Sequence, residues 1–133
     1  MNNEEKQEAY MELQMLDQKI KQLQKKMEKM EEQLMELNLV KNAVKDFEKL
    51  KEGQELQVPL ANGIYMQAEV KDTKELLVNV GAYVMVSKTI PEVDKLLDTQ
   101  VEELNKFREN IVLNLQSLVN RAEQIQSKLT VDK

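Results

Sequence analysis

The sequence predicts an α+β fold: a long antiparallel α-helical coiled-coil hairpin with two β-hairpins at its base. Three observations predict it. Residues 3–52 and 89–130 carry apolar side chains at spacings that alternate three and four, as a coiled-coil seam requires. The stretch between, 54–88, switches to period-two alternation punctuated by turn residues. Charged residues make up 32% of the 133 and aromatics only 4%, a balance that suits elongated helices better than a compact globule. At this length the chain is read as a single domain with one modest core.

The first helix is expected from Asn3 to about Glu52. Asn2 or Asn3 can cap its start, Glu4 and Glu5 sit favourably at the positive end of its dipole, and Gly53 is a natural residue to follow its end. Leu13, Leu16, Ile20, Leu23, Met27, Met30, Leu34 and Leu37 form the heptad seam, continued by Val40, Val44 and Phe47. Leu34, Leu37 and Val40 thus make two successive three-residue steps, a stammer that should overwind the coil locally.

The middle segment is expected to make four short strands. Leu56, Val58 and Leu60 alternate with polar residues, Ala61-Asn62-Gly63 offers a turn, and Ile64, Met66, Ala68 and Val70 return. After Asp72-Thr73, strands over Glu75–Val80 and Ala82–Val86 flank Gly81. Pro59 cannot donate to a ladder, which puts the first strand at an edge or ends it there. Two small hairpins leave open edges and an uncovered apolar face, while the helices already occupy each other. The segment is therefore expected to pair with other chains through Leu56, Val58, Ile64, Met66, Val78, Val80, Gly81, Val84 and Val86. The alternative is four strands that close on themselves in a monomer.

The second helix starts at a capping box, Thr89-Ile-Pro-Glu92, with Pro91 tolerated in the first turn. Leu97, Leu104, Ile111, Leu118 and Ile125 then recur every seven residues, accompanied by Val101, Arg108, Leu115, Ala122 and Leu129. Arg108 breaks the apolar set, and Phe107 beside it is expected to supply the missing area. Arg108 itself either lies along the seam with its head in water or pairs with a glutamate on the facing helix. At 1.5 Å per residue the helices are roughly 75 and 60 Å long, similar enough to pack antiparallel. Met1–Leu23 and Leu118–Lys133 would then share the free tip.

Composition narrows the chemistry. With no Cys and no His, thiol chemistry, disulfides, zinc sites and imidazole catalysis are excluded. The three glycines, at 53, 63 and 81, form no phosphate-cradling loop, and no catalytic, cofactor or metal residue is assigned. A net charge of −5 with mixed signs argues against a nucleic-acid partner. No apolar run approaches the ~20 residues of a membrane span. The opening MNNEEKQEAY reads as neither signal nor transit peptide, so the expected location is cytoplasmic.

A long N-terminal helix, two β-hairpins and a long C-terminal helix resemble the α class of prefoldin subunits; the β class carries one hairpin at this place. ELQVPLANGIYMQAEV looks like the family's first hairpin, and VNVGAYVMVSKTIPEVDKLL like its second. Members carry Val-Gly-x-Gly-Tyr-x-Val-Glu-Lys there. Val80, Gly81, Val86, Lys88 and Thr89 match, while Tyr83 replaces the second glycine and Ser87 the glutamate. The resemblance implies a hexamer of α-class and β-class subunits, or copies of this chain, joined in a β-barrel platform with coiled-coil tentacles. It implies a chaperone that holds unfolded proteins at its tips without ATP and delivers them to a group II chaperonin.

Such a role needs apolar surface that the coil does not consume. Tyr10, Met11 and Met15 fall outside the first seam, as do Val112, Leu113 and Val119 outside the second. Six of the eight methionines lie in the first 35 residues, and unbranched thioether chains adapt to varied partners. The expected client-binding set is Tyr10, Met11, Leu13, Met15, Leu16, Val119, Ile125 and Leu129. The alternative for these residues is wider packing within the chain. A coiled-coil spacer or filament-forming scaffold, assembled through the hairpins, is the competing function. An enzyme has almost nothing behind it, and an acidic-tipped polymerase-channel factor would expose a turn that here enters the β segment.

Overall fold

The computed structural model describes Asn2 to Val131, so Met1, Asp132 and Lys133, assigned above to the tip, lie outside the described residues. The elements run α1 (Asn3–Glu48), β1 (Glu55–Ala61), β2 (Ile64–Glu69), β3 (Glu75–Asn79), β4 (Met85–Thr89) and α2 (Ile90–Val131). Two long helices and two antiparallel β-hairpins, β1–β2 and β3–β4, make this an α+β hairpin fold.

Both helix starts follow from their capping residues. Asn2 Oδ1 accepts the Glu5 N–H at 2.8 Å, satisfying one of the orphan donors of α1. Thr89 Oγ1 accepts the Glu92 N–H at 3.3 Å and donates to Glu92 Oε1 at 2.9 Å. Pro91 follows in the first turn of α2, where its missing N–H has no intrahelical role.

The end of α1 differs from expectation: it stops at Glu48, not near Glu52. Lys49 and Leu50 donate to Asp46 and Phe47, each at 3.1 Å, and these i→i+3 bonds close the last turn. Gly53 is not the residue after a helix end. Its N–H donates to Val70 O at 2.8 Å, and the Val70 N–H to Gln54 O at 2.9 Å, which prolongs the β1–β2 ladder. The chain must leave the helix early to bring Gly53 there.

The chain forms two compact units. One combines α1 to Leu34 with α2 from Glu102 on. Its core is Ala9, Leu16, Ile125 and Leu129, with Leu13, Leu118 and Ala122 packed alongside. Glu12 faces Arg121 and Glu31 faces Arg108, so the segments run antiparallel. No large side chain among the described residues is fully buried, because a two-helix seam has water on both flanks. Phe107 does not fill the gap at Arg108. It is 58% exposed, and the seam passes from Leu104 to Ile111 without it. Arg108 Nη2 lies 3.9 Å from Glu31 Oε1 with both side chains about half exposed, a contact that stabilises by under ~1 kcal/mol.

The other unit, Met35–Val101, holds both hairpins. Val44, Ile90, Val93 and Leu97 form its core, with Leu37, Phe47, Leu76 and Val78 packed against them. Here Lys41, not Val40, continues the seam from Leu37 to Val44. Val40 is exposed, whereas the Lys41 stem is partly covered and its ammonium pairs with Asp98. The two successive three-residue steps therefore move to Lys41–Val44–Phe47, one turn from the helix end.

Candidate functional sites

Strand alternation gives β1–β2 one apolar face and one that is polar except where Pro59 stands opposite Tyr65. Leu56 stands opposite Ala68 and Val58 opposite Met66, with Ile64 on the same side. Glu55 opposite Glu69 and Gln57 opposite Gln67 occupy the other side. The Asn62-Gly63 turn, with φ of 49° and 77°, is the two-residue loop that fits strand twist. Leu60 departs from the expected alternation, because the register shifts between Pro59 and Ala61 and leaves it without a partner. Such a bulge follows naturally next to Pro59, which cannot donate. The apolar face stays uncovered within the chain: Ile64 is 61% exposed and Met66 50%.

In β3–β4, Leu76, Val78 and Val86 share the side whose Leu76 and Val78 pack on the helix core. Leu77 and Met85 project from the opposite side and are exposed. The strand expected over Ala82–Val86 begins only at Met85. Ala82 and Tyr83, at φ of 49° and 63°, are the centre of a tight turn closed by Val84 N–H donating to Gly81 O at 2.9 Å. Asn79 Oδ1 braces it by accepting the Gly81 N–H at 2.9 Å. Gly81 has φ of 120°, and nothing lies within 4 Å of where its Cβ would be, so its restriction is conformational rather than steric. The turn holds Tyr83 out at 96% exposure. Val80 and Val84, both exposed, flank it.

Each hairpin is a separate two-stranded sheet, so all four strands have an unpaired backbone edge. Open edges beside exposed apolar faces are where strand addition by another chain gains most. Among the positions assigned to assembly, Val58, Ile64, Met66, Val80, Gly81, Val84 and Val86 are exposed, while Leu56 and Val78 are partly covered. Leu77, Tyr83 and Met85, outside that assigned set, are exposed beside them.

The tip residues separate into two groups. Leu16, Ile125 and Leu129 are buried against one another and Leu13 packs beside them, so a partner reaches them only if the helices part. Tyr10, Met11, Met15 and Val119 are exposed. Met11 and Met15 are neighbours one turn apart on α1. Ala9, absent from the expected seam, is buried with Leu16, Ile125 and Leu129; it lies four residues before Leu13 and so extends the seam spacing by one step. Among the described residues, no group of three or more acidic side chains is placed to hold a metal.

The family model for prefoldin subunits matches residues 16–131. A prefoldin subunit alpha from Methanococcus aeolicus is 33% identical over 127 residues, covering 96% of this chain and 86% of the relative. One from Archaeoglobus fulgidus is 24% identical, covering 96% and 93%. Among solved structures, the filamentous PFD from Methanocaldococcus jannaschii shares the fold, with a TM-score of 0.80 at 17% identity, over 90% of this chain and 98% of that one. The chain belongs to the prefoldin subunit family, in its archaeal-type alpha class.

Proposed function

We propose that this chaperone subunit is an ATP-independent holdase, which binds unfolded proteins at coiled-coil tips and delivers them to a group II chaperonin. The observation that carries it is the exposure of Tyr10, Met11, Met15 and Val119 beside a seam already closed by Ala9, Leu16, Ile125 and Leu129. Apolar side chains left over from a satisfied core are available to a partner, and flexible methionines suit many partners. Assembly with β-class subunits or copies of itself, through the hairpins, would present several such patches to one client and add avidity. A hexamer of the two classes, in the cytoplasm, is the expected form. No described helix is long and apolar enough to cross a membrane. Neither catalysis nor nucleic-acid binding belongs to this role.

The test replaces Tyr10 by Ser, Met11 and Met15 by Gln, and Val119 by Gln in the assembled protein. Light scattering of a chemically unfolded protein diluted from denaturant should then show lost protection with oligomer size unchanged. Unchanged protection would move client binding elsewhere. A second reading, a filament or spacer subunit, draws on the unpaired strand edges and the likeness to a filamentous assembly. It requires that the unaltered assembly give no protection at all, and native mass spectrometry with and without a β-class subunit would then show open-ended growth.

A further inference from the structure

Charge is segregated along the helix-pair unit. Residues 2–18 carry Glu4, Glu5, Glu8, Glu12 and Asp17 against Lys6 alone. The next stretch reverses this: Lys19, Lys21, Lys25, Lys26 and Lys29 stand against Glu28 alone. Lys21 is paired with Asp17 at 3.1 Å. Lys19 and Lys26 immediately precede the seam residues Ile20 and Met27, where a coiled coil ordinarily sets carboxylates of the facing helix against lysines. The facing helix provides none. Lys19 and Lys26 line a surface groove with Asn114 and Ser117 of α2, over a floor of Leu23 and Leu118. Neither lysine has a carboxylate within 4.0 Å among the described residues, although Glu12–Arg121 and Glu31–Arg108 bridge the helices elsewhere in the same unit.

Resting on the holding role proposed above, we infer that this groove binds acidic segments of unfolded polypeptides, with Lys19 and Lys26 pairing their carboxylates. Asn114 and Ser117 offer polar groups that leave the lysine charge available, and the leucine floor suits an apolar side chain beside the acidic one. No aromatic side chain lines the groove to stack a base, which favours polypeptide over single-stranded nucleic acid. The groove thus selects clients by charge, complementing apolar capture by Tyr10, Met11 and Met15.

The probe is fluorescein-labelled poly-glutamate, titrated by anisotropy into the assembled full-length protein, with poly-lysine and oligoadenylate for comparison. Poly-glutamate should bind, weaken with added salt, and bind about tenfold more weakly to the double variant Lys19→Gln/Lys26→Gln, the sum expected of two exposed charge pairs. Asn114→Glu/Ser117→Glu supplies the absent carboxylates and should also block binding, while holding or raising the melting temperature. Protection of a client poor in acidic residues should be unchanged in both variants. Poly-glutamate binding unaffected by either pair of substitutions, or tighter binding of oligoadenylate, would overturn the inference. Peptide binding does not depend on client protection, so a failure of the holding role would be seen separately.

Discussion

Arg121 Nε donates to Glu12 Oε1 at 2.9 Å, joining residues 109 apart in sequence across α1 and α2. A second contact, Arg121 Nη2 to Glu12 Oε2 at 3.4 Å, makes the approach two-pronged. The pair stands beside the buried set of Ala9, Leu16, Ile125 and Leu129, and fixes which turn of one helix meets which turn of the other.

Register and stability have different sources there. Both members of the pair are nearly half exposed, so a double-mutant cycle on Glu12→Ala and Arg121→Ala should give a coupling of about 0.2–1 kcal/mol. Ile125, at 3% exposure, is another matter. Ile125→Ala should cost about 2–4 kcal/mol and visibly lower the thermal midpoint followed by circular dichroism. Equal effects from the two sites would refute the division.

The hairpins divide in the same way. Val78 packs on the core of Val44, Ile90, Val93 and Leu97, so Val78→Asp should destabilise the subunit itself. Ile64→Asp and Leu77→Asp place a charge on uncovered surface and should leave helicity intact. Sedimentation should show small species for both if those faces are assembly contacts. Full-size oligomers from both would remove the hairpin faces from assembly.

Tyr83 is held in the left-handed region, which costs an ordinary L residue about 1–2 kcal/mol. Tyr83→Gly should relieve that strain and raise the subunit's thermal midpoint by about 2–8 °C. The same change removes the most exposed large apolar side chain of the hairpins, so the oligomer should dissociate at higher protein concentration than the unaltered one. A lower midpoint would show that the turn is not strained.

The helices, their N-terminal caps and the first hairpin were legible because each rests on local rules: heptad spacing, Thr89 with Glu92, Asn62 with Gly63. What was illegible depended on contacts distant in sequence. Val70 pulls Gly53 into the ladder and ends α1 at Glu48. Lys41 displaces Val40 from the seam because Asp98 waits across it. Phe107 stays out of the gap in the seam, and Arg108 reaches toward Glu31 with half its side chain in water. The break between β3 and β4 was expected at Gly81, but the turn reaches on through Ala82 and Tyr83, because alternation runs through Val80–Val86 while those two residues adopt a conformation their side chains disfavour. For the tip, spacing identified the off-seam residues, but whether the seam itself stays closed is a matter of packing.

Trimming the chain to Lys19–Arg121 removes Tyr10, Met11, Met15, Leu16, Ile125 and Leu129 together, while both hairpins remain. Each lost patch offers only a few side chains, at ~1.5–3 kcal/mol apiece when fully buried and less in a shallow contact, so holding requires several at once. Light scattering of a chemically unfolded protein on dilution, with oligomer size measured alongside, should show an intact assembly that no longer suppresses aggregation. Full protection by that truncated oligomer would contradict client binding at the tips.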